Sequence, residues 1–240
     1  MSIQGFEDWL QTQAGQYVLA WEQSRHDALV ADIFGFNAVQ LSLPGCDFLR
    51  ANRMPLRQRC DDGRTSARVD VRADLHHLPF ASASVDLVVM PHALEFDDNP
   101  HQVLREVERV LVPEGQVLIC GFNPLSLWGL RRQLTRYPAA APWRGEYIAP
   151  GRLRDWLVLL GFEVQPALFG CYAPPFDQEK WLRRFAWSET LGRRSVAPAG
   201  AVYIAQATKR QHGLRLITPV WQDRKARAKA LVTVTQRIDQ

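Results

Sequence analysis

Long apolar runs are missing from this 240-residue chain, and none approaches the ~18 residues that a membrane-spanning helix needs. Its first residues, MSIQGFEDWLQTQ, have neither the basic start nor the apolar stretch of a secretory signal, so the expectation is a cytoplasmic protein without a membrane span. Cysteine is scarce and dispersed. Cys46, Cys60, Cys120 and Cys171 form no CxxC pair and stand near no histidine cluster, so neither a zinc site nor a disulfide framework is signalled and no metal is expected. No G-x-G-x-x-G follows any predicted strand, which argues against a nicotinamide-dependent dehydrogenase.

What is present is enough apolar material, 47% of residues, to bury the core of one large domain or two small ones. The net charge of +4 suggests a nucleic-acid partner until its distribution is examined. Eight Lys/Arg and two Asp fall in residues 209–240, a net of +6, which leaves residues 1–208 at −2. The basic character belongs to the tail, which has no sustained period apart from a transient helix at 223–232 and reads as mobile.

Periodicity organises the rest. Phe6, Leu10, Tyr17, Val18, Trp21, Leu29, Ile33 and Phe34 recur at helical spacing, so residues 1–35 read as a helical cap of two helices packed on a sheet edge. Residues 36–45 (FNAVQLSLPG) read as a buried strand closed by a turn, with a second strand at Pro55–Cys60 and a third at Val69–Ala73. Val85–Met90 is a further apolar strand. Asn99 then caps a helix that has Pro100 at its first position and buries Val103, Leu104, Val107, Val110 and Leu111; Pro113-Glu-Gly115 ends it and Val117–Cys120 resumes as strand. A helix through Leu153, Trp156, Leu157 and Leu160 stops at Gly161, and strands follow at Phe162–Ala167 and Ala201–Ala207 with a helix near 177–191 between them. Strand–helix–strand alternation with short connections predicts an α/β domain with a mostly parallel sheet.

Three stretches carry a likeness: residues 73–95 (ADLHHLPFASASVDLVVMPHALE), residues 103–115 (VLREVERVLVPEG) with Leu118-Ile119, and residues 147–164 (YIAP through LGFEV). Taken together, in this order and spacing, they resemble the class I, Rossmann-like S-adenosylmethionine-dependent methyltransferases. The likeness is strong over about 100 residues and looser over about 170. It implies a methyltransferase-like domain at 1–208, with lid insertions at 122–147 and 169–200, followed by the basic tail at 209–240. The family's glycine series after the first strand is reduced here to Gly45 in Leu41-Ser-Leu-Pro-Gly-Cys-Asp47. From Gly45 to Asp74 the chain is also short for a full helix–strand–helix, so the first helix and the second crossover are expected to be abbreviated.

Methyl transfer needs alignment of an acceptor with a sulfonium methyl group and exclusion of water, so no catalytic triad or metal is required. Carried over onto this sequence, the resemblance places Gly45 beside the amino-acid part of S-adenosylmethionine, Asp61 or Asp62 at the ribose hydroxyls, Asp74 at the adenine amino group and the backbone of Leu75 at the ring edge. Ionised carboxylates only accept hydrogen bonds, which suits ligand hydroxyls and amines. His92, after the fourth strand, is the candidate to orient a substrate or accept its proton; the alternative is a histidine that bonds its neighbouring loop. Glu95 reads as part of a helix start, and His76 and His77 carry no assigned chemistry. The implied function is methylation of a small or lipid-like molecule. Two alternatives stay open: a catalytically silent fold used for binding or scaffolding, and an RNA-associated protein acting weakly through the tail.

Overall fold

The computed structural model describes residues 5–62, 68–134, 142–175 and 197–210. The expected helices at 177–191 and 223–232, most of the second insertion and the tail beyond Arg210 lie outside these residues. Two helices open the chain, α1 (Phe6–Leu10) and α2 (Gln13–Val30). Thr12 caps the second by accepting from the Gly15 amide at 3.1 Å. Along α2 the residues Ala14, Val18, Glu22, His26 and Val30 are all buried, a stripe of fourth-residue neighbours that lies against the sheet.

The sheet contains β1 (Asn37–Leu41), β2 (Leu56–Asp61), β3 (Val71–Arg72), β4 (Val85–Pro91), β5 (Leu111–Phe122), β6 (Phe162–Val164), β7 (Leu168–Gly170) and β8 (Val202–Lys209). Their spatial order is β3-β2-β1-β4-β5-β8-β6, with β7 also paired to β8. The first five strands run parallel; β8 is antiparallel to β5, β6 and β7. Alternation along the strands separates two faces. Ala38, Leu87, Val89 and Leu118 meet Val30 and Ile33 at the end of α2, so the cap crosses the middle of the sheet and not its edge. Val39, Leu41, Val88, Met90 and Ile119 point the other way, onto α3 (Pro100–Val110) and α5 (Pro150–Leu159).

Residues 42–55 and 73–84 connect β1 to β2 and β3 to β4 without a helix. The expected abbreviation is therefore complete in these connections. Phe48, Leu49 and Met54 from the first of them fill the space that a crossover helix would cover. Helix α3 begins where expected, with Asn99 accepting from the Gln102 amide and Pro100 at the first turn. Its end differs. The Pro113–Gly115 turn is absorbed into β5, where Glu114 takes a φ of 64° and the register with β4 shifts between Val85 and Leu87, a bulge. Gly161, at a φ of 85°, follows α5 as the left-handed terminator. The third strand shrinks to two residues, the Phe162–Ala167 strand shortens to β6, and β7 forms just beyond it.

The described part of the first insertion forms α4 (Leu127–Leu134). Trp128 is buried there and donates from its indole to the Ala173 carbonyl at 2.9 Å, while Arg131 lies 4.9 Å from the Trp143 ring and Arg132 5.1 Å from the Tyr147 ring. No helix among the described residues is long and apolar enough to cross a membrane.

Candidate functional site

The strand order reverses at β1: β2 and β3 extend to one side of it and β4 and β5 to the other. In an open α/β sheet such a switch point leaves a crevice at the carboxyl edge, which is where ligands bind.

The turn after β1 is built by Gln40. Its side-chain amide faces the carbonyls of Ser42, Leu43 and Cys46 at 2.8–3.1 Å, and its Oε1 accepts from the Phe48 amide at 2.9 Å. This brace holds Ser42 and Leu43 at φ 77° and 48°, left-handed angles that glycine adopts without strain. Leu43 is kept there also by burial against Phe6, Leu10, Val18 and Phe122. Gly45 follows at an exposed turn, and the Arg59 guanidinium donates to the Pro44 carbonyl at 3.2 Å, fastening the turn to β2.

Asp61 ends β2 and is buried; its carbonyl accepts from the Ala73 amide at 3.0 Å, which puts Asp74 on the neighbouring strand end. Asp62 is half-buried, and Leu75 is half-buried against the core. The Asp74 carboxylate accepts from the His76 amide and imidazole, both on Oδ1 at 2.9 and 2.8 Å, and its Oδ2 carries no hydrogen bond among the described residues. The backbone amide of His76 is the main cause that holds Asp74 below the usual carboxylate range, with the imidazole adding to it. The other ring nitrogen of His76 meets Asp97 at 2.9 Å. Partial burial works against charge on His76, but Asp74 and Asp97 outweigh it and raise its pKa. Gly45, Asp61, Asp62, Asp74 and Leu75 thus lie along the carboxyl ends of three adjacent strands.

His92 does not join them. At the end of β4 with a φ of 51°, it turns its ring into the interior and has no exposed surface. Nδ1 lies 2.6 Å from Glu95, Nε2 lies 2.8 Å from Glu22 of α2, and the Cys120 thiol donates to the same Glu22 oxygen at 3.2 Å. Phe6 and Phe122 flank the imidazole with ring centroids at 4.9 and 4.6 Å. Burial opposes charge on His92, but Glu22, Cys120 and Glu95 outweigh burial and hold its pKa well above the ordinary range. Burial pushes the Glu95 carboxyl up. Sequence reasoning missed the partnership of Glu22, Glu95 and Cys120. A signal existed: Glu22 and His26 continue the apolar stripe of Ala14, Val18 and Val30, a position where polar side chains need buried partners.

Comparison with known proteins places these features in context. Residues 37–119 match the family described as Methyltransferase domain. The uncharacterized protein YafS of Escherichia coli is 44% identical over 96 residues, 40% of each chain. A malonyl-[acyl-carrier protein] O-methyltransferase of Halorhodospira halophila is 43% identical over 61 residues, 25% of this chain and 21% of its own. The chain therefore spans less than half the length of these relatives. Among solved structures, a methyltransferase of Thermotoga maritima superposes with a TM-score of 0.62 at 15% identity, covering 85% of this chain and 95% of its own.

Proposed function

We propose that the chain is a class I S-adenosylmethionine-dependent methyltransferase and that the carboxyl edge of β1, β2 and β3 holds S-adenosylmethionine for transfer of its methyl group to a small or lipid-like acceptor. The observation that carries the reading is the line of Gly45, Asp61, Asp62 and Asp74 on neighbouring strand ends at the switch point. The donor chemistry fits. Ribose hydroxyls and an adenine amino group donate, and Asp61 or Asp62 and the open Oδ2 of Asp74 accept. The cofactor supplies the activated methyl group; the chain positions it and excludes water. Matches to malonyl-[acyl-carrier protein] and ubiquinone/menaquinone methyltransferases favour an acceptor with a carbonyl or quinone-like head on an apolar body.

One observation favours a second reading, a catalytically silent fold used for binding or scaffolding that does not hold the cofactor. No helix follows the β1 turn, so the amino-acid end of the ligand lacks the helix N-terminus that usually receives a negative group. A [4+2]-cyclase with the same fold, at a TM-score of 0.52 and 16% identity over 82% of both chains, illustrates that the fold is not tied to one reaction.

Calorimetry and thermal unfolding with S-adenosylmethionine separate the two. A hundredfold excess over Kd stabilises the native state by about 2.7 kcal/mol, a rise of a few degrees in Tm for a domain of this size. Asp74→Ala is expected to remove most of that rise and leave the ligand-free Tm nearly unchanged, because its side chain is 60% exposed. Absence of heat and of any shift in the parent protein at millimolar cofactor would select the second reading.

A further inference from the structure

We propose that Glu22, His92 and Cys120 bind one divalent transition-metal ion of the zinc class, clamping α2 onto the ends of β4 and β5. The three side chains come from three elements and are buried together, with donor atoms all within 4.8 Å of one another. Zinc bonds of about 2.0–2.3 Å in tetrahedral geometry put such donors about 3.4–3.6 Å apart. The observed separations are 2.8 Å between Glu22 Oε1 and His92 Nε2, 3.2 Å between Glu22 Oε1 and Cys120 Sγ, and 3.9 Å between Cys120 Sγ and His92 Nε2. Changes of up to about 0.6 Å in these separations admit the ion.

Two further observations point to a ligand. Glu22 Oε2 is buried and has no hydrogen-bond partner among the described residues; as a second oxygen of a bidentate carboxylate it becomes the fourth donor of a closed site. Glu95 holds the opposite nitrogen of His92 at 2.6 Å, the carboxylate–histidine contact that orients a metal-bound imidazole and leaves Nε2 for the ion. The mixed sulfur, nitrogen and oxygen set suits zinc or cobalt and does not suit magnesium or calcium, which prefer oxygen alone. All three donors are buried and Phe6 and Phe122 flank the imidazole, surroundings that suit a structural site. It is independent of cofactor binding at the sheet edge.

The test uses full-length protein freed of metal by chelation and titrated with Co2+. The expected result is one equivalent bound, with a thiolate-to-cobalt absorption band and the visible bands of a tetrahedral ion. Cys120→Ser, whose hydroxyl still donates to Glu22, is expected to lose the thiolate band, whereas Cys46→Ser keeps it. No band in the parent protein, or a band that survives in Cys120→Ser, overturns the proposal. If Cys120→Ser does not fold, X-ray absorption of the zinc-loaded parent decides: one sulfur at about 2.3 Å among nitrogen and oxygen donors supports it, and a shell with no sulfur or several overturns it.

Discussion

Ser42 and Leu43 hold left-handed backbone angles in the turn after β1. A left-handed non-glycine residue costs about 1–2 kcal/mol, and here the Gln40 amide and the burial of Leu43 offset that cost. Ser42→Gly should therefore stabilise the protein. Relief of about 1–2 kcal/mol outweighs the 0.4–1 kcal/mol of extra chain entropy that a glycine brings to the unfolded state, so the net gain expected by denaturant unfolding is about 0.5–1 kcal/mol. A second residue-level expectation concerns His76, between Asp74 and Asp97. Its pKa is raised in the folded state, so its contribution is complete below pH 6.5 and is lost as pH rises through the folded value. Asp74 is depressed, so its contribution exists above pH 3.8 and is lost as pH falls through its folded value. The contact therefore works best between these limits, and its effect on stability is small because Asp74 is mostly exposed. An NMR titration of His76 should give a midpoint above 6.5, lowered in Asp97→Asn; an unmoved midpoint in that variant would remove Asp97 from the account. The sequence made Asp74 readable through its place before Leu-Pro-Phe. It hid the His76 and His92 contacts because their partners at positions 97, 22 and 120 are distant or unpatterned.

Elements were legible where local chemistry alone decides them. Helix α3 has its cap, its first-turn proline and its apolar stripe within eleven residues, and it forms where those signals put it. The strands β1, β4 and β8 are buried on both faces and read as apolar runs for the same reason. Boundaries failed where tertiary pairing decides: Pro113–Gly115 looks like a turn but is drawn into β5 as a bulge against β4. The cap was placed on an edge because nothing in its own sequence tells that residues 42–55 lack a helix and leave the centre of the sheet for α2. The contact between α2 and β7 provides a test at this scale. The Trp21 indole lies so close to Gly170 that a Cβ there would come within 2.0 Å of it. Gly170→Ala must push the two elements apart or turn the tryptophan, and such overpacking costs about 1–3 kcal/mol. Trp21→Leu should recover part of the loss in the double variant, which a double-mutant cycle measures; strict additivity would show that the two residues do not meet.

At the scale of the molecule, the question is whether the N-terminal helices are an accessory lid or part of the cooperative core. The first alternative fits the sequence, since a helical cap ahead of a methyltransferase-like sheet can be read as detachable. The packing favours the second. Phe6 is fully buried and its ring meets Trp9, His92, Phe96 and Phe122, so a single residue of α1 touches the ends of β4 and β5. Leu10 and Val18 complete the same cluster with Leu43 from the β1 turn. Removing the phenyl ring leaves a cavity that neighbours fixed by the sheet cannot collapse to fill, and Phe→Ala at such a site costs about 3–5 kcal/mol. With 1 kcal/mol equal to roughly 2–4 °C for a domain of this length, Phe6→Ala should lower Tm by about 6–20 °C. The form of the transition discriminates more sharply than its position. If cap and sheet are one unit, far-UV circular dichroism and the fluorescence of Trp9 and Trp128 shift together to a single lower midpoint. An early fluorescence change followed by an unshifted loss of secondary structure would mean that the cap melts alone, and the clamp through Glu22 would then have no core to hold.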